Sequence, residues 1–363
     1  MNGRPVVAAV HAHARWSRRA PERVALRRAC SLVIAAGILV GASQSMAAQA
    51  PSPWGWSLRA DNDAFNLWQA VSDRPDGEYS NGVQLARVTA GAPWWGERFA
   101  KGREGCTGVE RPDERCLATE FTFGQDIYTP DKSRMPGEVE HWERERPYAG
   151  WLYVSAAGRV LDARSMHEVR VTLGMTGRPS LAEAMQKWAH RVNAAWTDPP
   201  VGWETQVRFE PGVVLGARQW WMFADRNDGD GSLLQVIPSA GVSVGNVLVR
   251  GDAGVEARLG WNLSHPWRPT GAGPRSPLSL ALVAGARQYL VARDITLDGN
   301  SFGATRSVKR EPWVGEYEVG MEARVSAVTI GWRAVTRGRE YTTGPRAHAV
   351  GSFRIGISQH APR

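Results

Sequence analysis

Beyond residue 50 the chain alternates apolar and polar residues in short runs, and no apolar run there approaches the 18 residues of a helical membrane span. Alternation of period two places successive side chains on opposite faces of a strand. Twelve strands are expected, at 54–62, 79–90, 117–127, 148–161, 167–176, 204–223, 232–244, 247–262, 279–294, 312–324, 325–337 and 347–358. Several span 10 to 16 residues, beyond the globular norm of about 5 to 6 and close to the about 9 to 11 that a tilted membrane-barrel strand needs. An even number of long antiparallel strands predicts an all-β fold, a 12-stranded transmembrane barrel. A Trp-rich soluble sandwich is the alternative. Trp54, Trp56, Trp151, Tyr153, Trp220, Trp221, Trp261, Tyr289 and Trp332 fall on or near strand ends, where interfacial girdles belong.

The N-terminus fits export. Basic "RRAPERVALRRAC" precedes apolar "SLVIAAGILVGA" and small-residue "SQSMAAQA", the order of a secretory signal, so residues 1–48 read as signal peptide and 49–363 as one barrel domain in the outer membrane. Its apolar stretch is too short to span a bilayer. This changes the charge balance. The formal net charge is +8, but residues 1–48 hold seven Arg and one Glu, leaving +2 and no basic surface for nucleic acid. Cys106 and Cys116 remain in the exported part, where a disulfide is plausible.

If the first strand rises from the periplasm, the connections 63–78, 128–147, 177–203, 245–246, 295–311 and 338–346 open on the outer face. Two polar knots, Asp61-Asn62-Asp63 and Glu78-Tyr79-Ser80-Asn81-Gly82, then share that rim. So does one helix, "SLAEAMQKWAHRVNAAW" at 180–196. Ser180 and Glu183 are spaced as a capping box. Leu181, Met185, Trp188, Val192 and Ala195 form an apolar stripe expected to hold the helix, with Gln186 and His190 near the opposite face. His190 can serve as a base near neutrality or be an ordinary solvated histidine. Asp61-Asn62-Asp63 can be an Asx-turn as readily as an ion site, and "DRNDGDG" at 225–231 lacks calcium-loop spacing and reads as a turn.

The ordered set "DND", "EYSNGVQL", "GQDIYTP", "RPYAGWLYVS", "GRPSLAEAMQKWAHRV", "GWETQ" and "TLDGNSFGATRSVKREPWVGEYEVGMEAR" resembles the outer-membrane lipid A 3′-O-deacylase family, over about residues 54–358. The resemblance implies a 12-stranded barrel, a site between the barrel wall and the outer helix, and Ca²⁺-dependent hydrolysis of the ester-linked 3′-acyloxyacyl group of lipid A. Asn62 and Asp63 match the family's Asn-Asp pair and are the expected metal ligands, hard oxygen donors suited to Ca²⁺. His190 matches the catalytic histidine, expected to activate water, and Ser80 matches the family's hydroxyl residue, expected to orient or stabilise the oxyanion. Gln125 and Asp126 match its Gln-Asp pair and, with Gln186, are expected to contact substrate. Lys132 and Arg134, with Arg144 and Arg146, are placed to meet lipid A phosphates, or are plain loop charges. One departure is visible. Trp196 stands where a family member can carry a Glu two turns after the histidine, which leaves Asp198 as the expected acidic partner. Lipid A is the implied partner and a monomer the expected form. The rival functions are a phospholipase A-like acyl hydrolase and a non-catalytic barrel.

Overall fold

The structure, a computed structural model, describes residues 54–66, 78–93, 104–107, 111, 113–131, 144–192, 201–227, 232–268 and 278–358. The expected signal peptide lies outside them, as do Lys132, Arg134, Trp196 and Asp198. The strands are β1 (Gly55–Asn62), β2 (Glu78–Ala90), β3 (Cys116–Thr129), β4 (Ala149–Leu161), β5 (Ser165–Thr176), β6 (Pro211–Trp221), β7 (Ala224–Asn227), β8 (Ser232–Gly245), β9 (Leu248–Leu263), β10 (Leu278–Asp294), β11 (Trp313–Val325), β12 (Val328–Gly338) and β13 (Ala347–Ile357). Except for β6 and β7, each pairs antiparallel with its neighbours in chain order, β1 also pairs with β13, and the sheet closes on itself. Strand β7 continues β6 after a break at 222–223, and both pair with β8. The barrel therefore has twelve staves, as the alternation predicts.

The alternation assigns the two faces. Leu58, Leu85, Phe123, Val154, Leu173, Leu259, Leu282, Ile330 and Ile355 point outward and are exposed, the apolar exterior that lipid requires. Inward residues are polar and paired. Arg159 and Arg170 bridge Glu120 and Glu168, Arg218 and Arg287 share Asp252, and Arg333 meets Glu256 and Glu318. Mutual neutralisation offsets the cost of burying these charges. At the end holding both chain termini of the barrel, Trp54, Val88, Cys116, Leu161, Trp220, Ile237 and Trp267 form an apolar plug. Cys106 joins it through a disulfide to Cys116.

Two expectations change. Of the nine aromatics assigned to girdles, only Trp56, Trp221 and Trp261 are exposed; Trp54, Trp151, Tyr153, Trp220 and Tyr289 are buried, and Trp332 is covered by Phe65, whose carbonyl accepts from its indole. Strand-end position does not tell which face a residue takes. The sixth stave starts at Pro211 rather than 204: Gly202 turns the chain at φ 102°, Trp203–Thr205 forms a 3-10 turn, and Tyr148 O takes the Val207 N–H. The rim loops on this end are latched together. Glu210 accepts from Asn246, Asn300 and Ser301. Burial alone would raise its pKa, but these donors bring it below the usual carboxylate range.

Candidate functional site

One row of opposed residues crosses the outside of the wall near the helix-bearing rim. Asn62 on β1 stands opposite Asn81 on β2, Asn81 opposite Ile127 on β3, and Ile127 opposite Gly150 on β4. Between Tyr79 and Asn81 the register slips by one residue, so Ser80 is an extra residue in β2, a bulge. Bulges re-aim side chains and recur beside active sites. The Ser80 hydroxyl shares a hydrogen bond with that of Thr129, and its carbonyl accepts from Nδ2 of Asn62 at 2.9 Å. The amide oxygen of Asn62 is thereby turned away from Ser80 O, and the next residue, Asp63, is the first of a short 3-10 turn.

Two ledges flank this row. On one side the 63–66 turn folds over β12 and β13: Phe65 stacks edge-on against Phe353, and any side chain at Gly351 would strike the Phe65 backbone. On the other side lies the helix, α1 (Ala182–Val192), which packs on β3 and β4. A side chain at Gly150 would run into Ser180 and Ala182, so glycine is what lets the helix start against the wall. Gln125 Nε2 donates to Ser180 O at 2.6 Å, and Trp203 Nε1 donates to Gln186 Oε1 at 2.7 Å. Ile127, Tyr148, Ala182 and Trp203 fill the space between. The alternating wall faces also separate Gln125, under the helix, from Asp126, which turns into the lumen and accepts from Tyr79.

The helix differs from the expectation in three ways. Ser180 is no N-cap: its hydroxyl donates to Gly177 O within a 3-10 turn, and Leu181 takes a left-handed φ of 61° before the helix begins. Glu183 pairs with Lys187 one turn on instead of closing a box. The apolar stripe does not hold the helix. Leu181, Met185 and Trp188 are exposed, while Ala182 and Gln186 are buried. On the outside of a barrel the surrounding solvent is lipid, so the small and polar face goes to protein and the apolar face away from it. His190 follows Ala182 and Gln186 at steps of four and is half-buried, on the wall side.

A second cluster sits inside the rim. Glu78, Glu340 and His348 present donor atoms within 4.8 Å of one another and could bind a metal. Nη1 of Arg146, however, lies 3.2 Å from both Glu78 Oε2 and Glu340 Oε2. A cation already stands between the two carboxylates. Arg146 also donates to Thr296 Oγ1, and its guanidinium covers the Tyr128 ring, so it is buried structure and not a loop charge awaiting phosphate. The Tyr341 hydroxyl lies within hydrogen-bond reach of both Glu78 and Glu145, at 2.7 and 2.8 Å. Burial would raise the pKa of Glu340, but Arg146 and Arg337 hold it down to about 2.

The structure thus gathers Asn62, Asp63 and Ser80 at one rim, with Gln125, Gln186 and His190 at the adjoining helix. Both glutamines are engaged in seating that helix. Sequence reasoning missed Trp203, Tyr148, Thr129 and the pairing of Arg146 with Glu78 and Glu340. The runs "RPYAG" and "GWETQ" hold three of these, but their pairing depends on contacts far apart in the chain.

Residues 31–358 match the family model described as "Outer membrane protein LpxR". Among solved structures the chain resembles LpxR from Salmonella typhimurium, at 17% identity and a TM-score of 0.66, covering 84% of this chain and 99% of that one. The beta domain of the Bordetella autotransporter BrkA also aligns, at 9% identity and a TM-score of 0.41, over 84% of this chain and 98% of that one. No curated protein matches.

Proposed function

The chain belongs to the LpxR family of outer-membrane proteins, the lipid A 3′-O-deacylases, and from that premise we propose that it removes the 3′-acyloxyacyl group in a Ca²⁺-dependent hydrolysis with His190 as general base. The reading rests on one observation, the row Asn62, Asn81, Ile127 and Gly150 that leads along the wall to the start of the helix. Three strand spacings separate its ends, about 14 Å. From Ala182 to His190 the helix advances eight residues, about 12 Å. A helix seated at Gly150 can therefore carry His190 most of the way back toward Asn62.

The donor set fits a hard cation. Asn62 and Asp63 would hold Ca²⁺ through an amide oxygen and a carboxylate, both oxygen donors, whereas the Glu78–Glu340–His348 cluster is already bridged by a guanidinium. When bound, the ion supplies polarisation of the ester carbonyl and charge stabilisation for its oxyanion. His190 takes a proton from water as the water oxygen bonds to the acyl carbon. It then returns the proton to the departing 3′-oxygen as the C–O bond breaks, leaving a carboxylic acid and a free hydroxyl. Ser80 orients the carbonyl. Asp198 steadies the imidazole in place of the missing Glu, and Lys132 and Arg134 meet the lipid A phosphates. Asp126 has no part in this, since it faces the lumen. Gln125 and Gln186 act by seating the helix, whose exposed Leu181, Met185 and Trp188 lie toward acyl chains. The active form is the monomer.

Mass spectra of lipid A from cells with and without the protein test this reading. Loss of one acyloxyacyl unit is expected. Loss of phospholipid acyl chains instead would identify a phospholipase A-like hydrolase, and unchanged spectra a non-catalytic barrel.

A further inference from the structure

At the end of the barrel away from the helix, a cavity of about 60 Å³ lies inside the wall between β9, β11, β12 and β13. A buried water needs about 10 to 15 Å³ on the same measure, so the space admits several waters or one small ion. Its charge is lopsided. Arg258, Arg268, Arg324, Arg333 and Arg354 line it, against Glu256 and Glu322. Arg333 reaches one further carboxylate, Glu318, and among the described lining residues guanidinium groups still outnumber carboxylates. His265, also in the lining, adds no charge at neutral pH, because burial lowers its pKa to about 4.

Arg324 carries the argument further. It is 8% exposed; its Nε donates to Ser264 Oγ at 2.7 Å and its Nη1 to Ser326 O at 3.2 Å, but its Nη2 is buried with no hydrogen-bond partner among the described residues. A buried guanidinium N–H without an acceptor is costly, and Arg159, Arg170, Arg218, Arg287 and Arg333 in the lumen each reach a carboxylate. The neighbouring acids are already used: Glu322 accepts from Arg258 at 2.6 Å and Glu256 from Arg333 at 2.8 Å. Among the described residues, what Arg324 Nη2 lacks is an acceptor of negative charge.

We propose that this cavity is a binding site for a small oxyanion of the inorganic phosphate or sulfate class, entering from the periplasmic end and completing the hydrogen bonds of Arg324. A tetrahedral oxyanion accepts along several directions at once, which suits guanidinium groups converging from four strands and a loop. The strap at 264–268 forms one side of the site. It is fixed in place by the bonds of His265 to Ala163 O, of Trp267 to Asp162 O and of Trp54 to Trp267 O.

The test is calorimetric titration of the full protein, folded in nonionic detergent, with inorganic phosphate at matched ionic strength. Chelator is present throughout, so that a rim cation plays no part. Saturable binding is expected in the parent. Arg324→Gln should weaken it about tenfold or more, the loss of one charge-assisted contact, and Arg268→Gln should weaken it less. Heat-modifiable migration reports whether each variant is folded; should Arg324→Gln not fold, Arg268→Gln carries the test. No saturable binding in the parent, or equal affinity in the folded variants, overturns the site. Binding of a short-chain phosphatidylglycerol in preference to phosphate overturns its assignment to a free ion.

Discussion

Trp203 donates its indole N–H to the side-chain oxygen of Gln186 across 2.7 Å, and so ties the rim turn before β6 to the middle of the helix on the outer wall. Both partners are buried. Replacing Gln186 with Leu would leave the indole N–H without an acceptor, a cost of about 1 to 3 kcal/mol. Because the helix is seated by few contacts, that cost should appear locally. Amide exchange in 182–192 is expected to quicken about tenfold or more while the barrel strands keep their protection. Deacylation should fall with it. Unchanged exchange in the helix would show that the seat lies elsewhere.

The Asn62–Asn81 pairing sets the metal prediction. Nδ2 of Asn62 is committed to Ser80 O, so its oxygen is oriented before any ion arrives. Chelator should abolish deacylation and added calcium restore it. Asp63→Ala should raise the calcium needed by about tenfold or more, with heat-modifiable migration intact, since one charged ligand of the ion is gone. Full activity in chelator would remove the ion from the chemistry.

The twelve staves were legible because strands of 8 to 17 residues repeat an alternation that one apolar and one polar surface require. What stayed hidden depends on register and on which side is the solvent. Ser80 is an extra residue in β2 only because β3 is there to define the slip. Asp126 sits one residue from Gln125 and therefore on the other face of the wall, which the pair's adjacency in sequence obscured. The apolar stripe of the helix was visible, but its direction was reversed. Periodicity identifies a face, and only the surrounding medium decides whether that face is buried.

Acid should loosen the rim before the rest of the barrel. Glu340 is held down to about 2, against its ordinary 4.5, by Arg146 and Arg337. A carboxyl with a depressed folded-state pKa adds stability that is complete above about 4.5 and is lost as the pH falls toward 2. Glu340→Gln should therefore lower the Tm at pH 7, and the gap to the parent should close between these two values. A gap constant over that window would mean that the Glu340 charge adds nothing to the rim.

The chemistry turns on His190. It continues the row Ala182, Gln186 on the wall-facing side of the helix, but the buried contacts that seat the helix come from Ala182 and Gln186 themselves and from Gln125 and Trp203. Loss of the imidazole should therefore leave these contacts in place, with amide exchange at 182–186 unchanged. A positioned general base contributes about 10² to 10⁴-fold in rate, so His190→Ala should lower turnover by that factor while lipid A still binds. Asp198→Ala should cost about tenfold if that carboxylate only orients the imidazole. Ser80→Ala should fall between the two, because an orienting hydroxyl can be lost without losing the attacking water. If His190→Ala turns over at the parent rate while Ser80→Ala is inactive, the reaction runs through the serine hydroxyl as nucleophile, and an acyl group should then be found on Ser80 by mass spectrometry of the trapped enzyme.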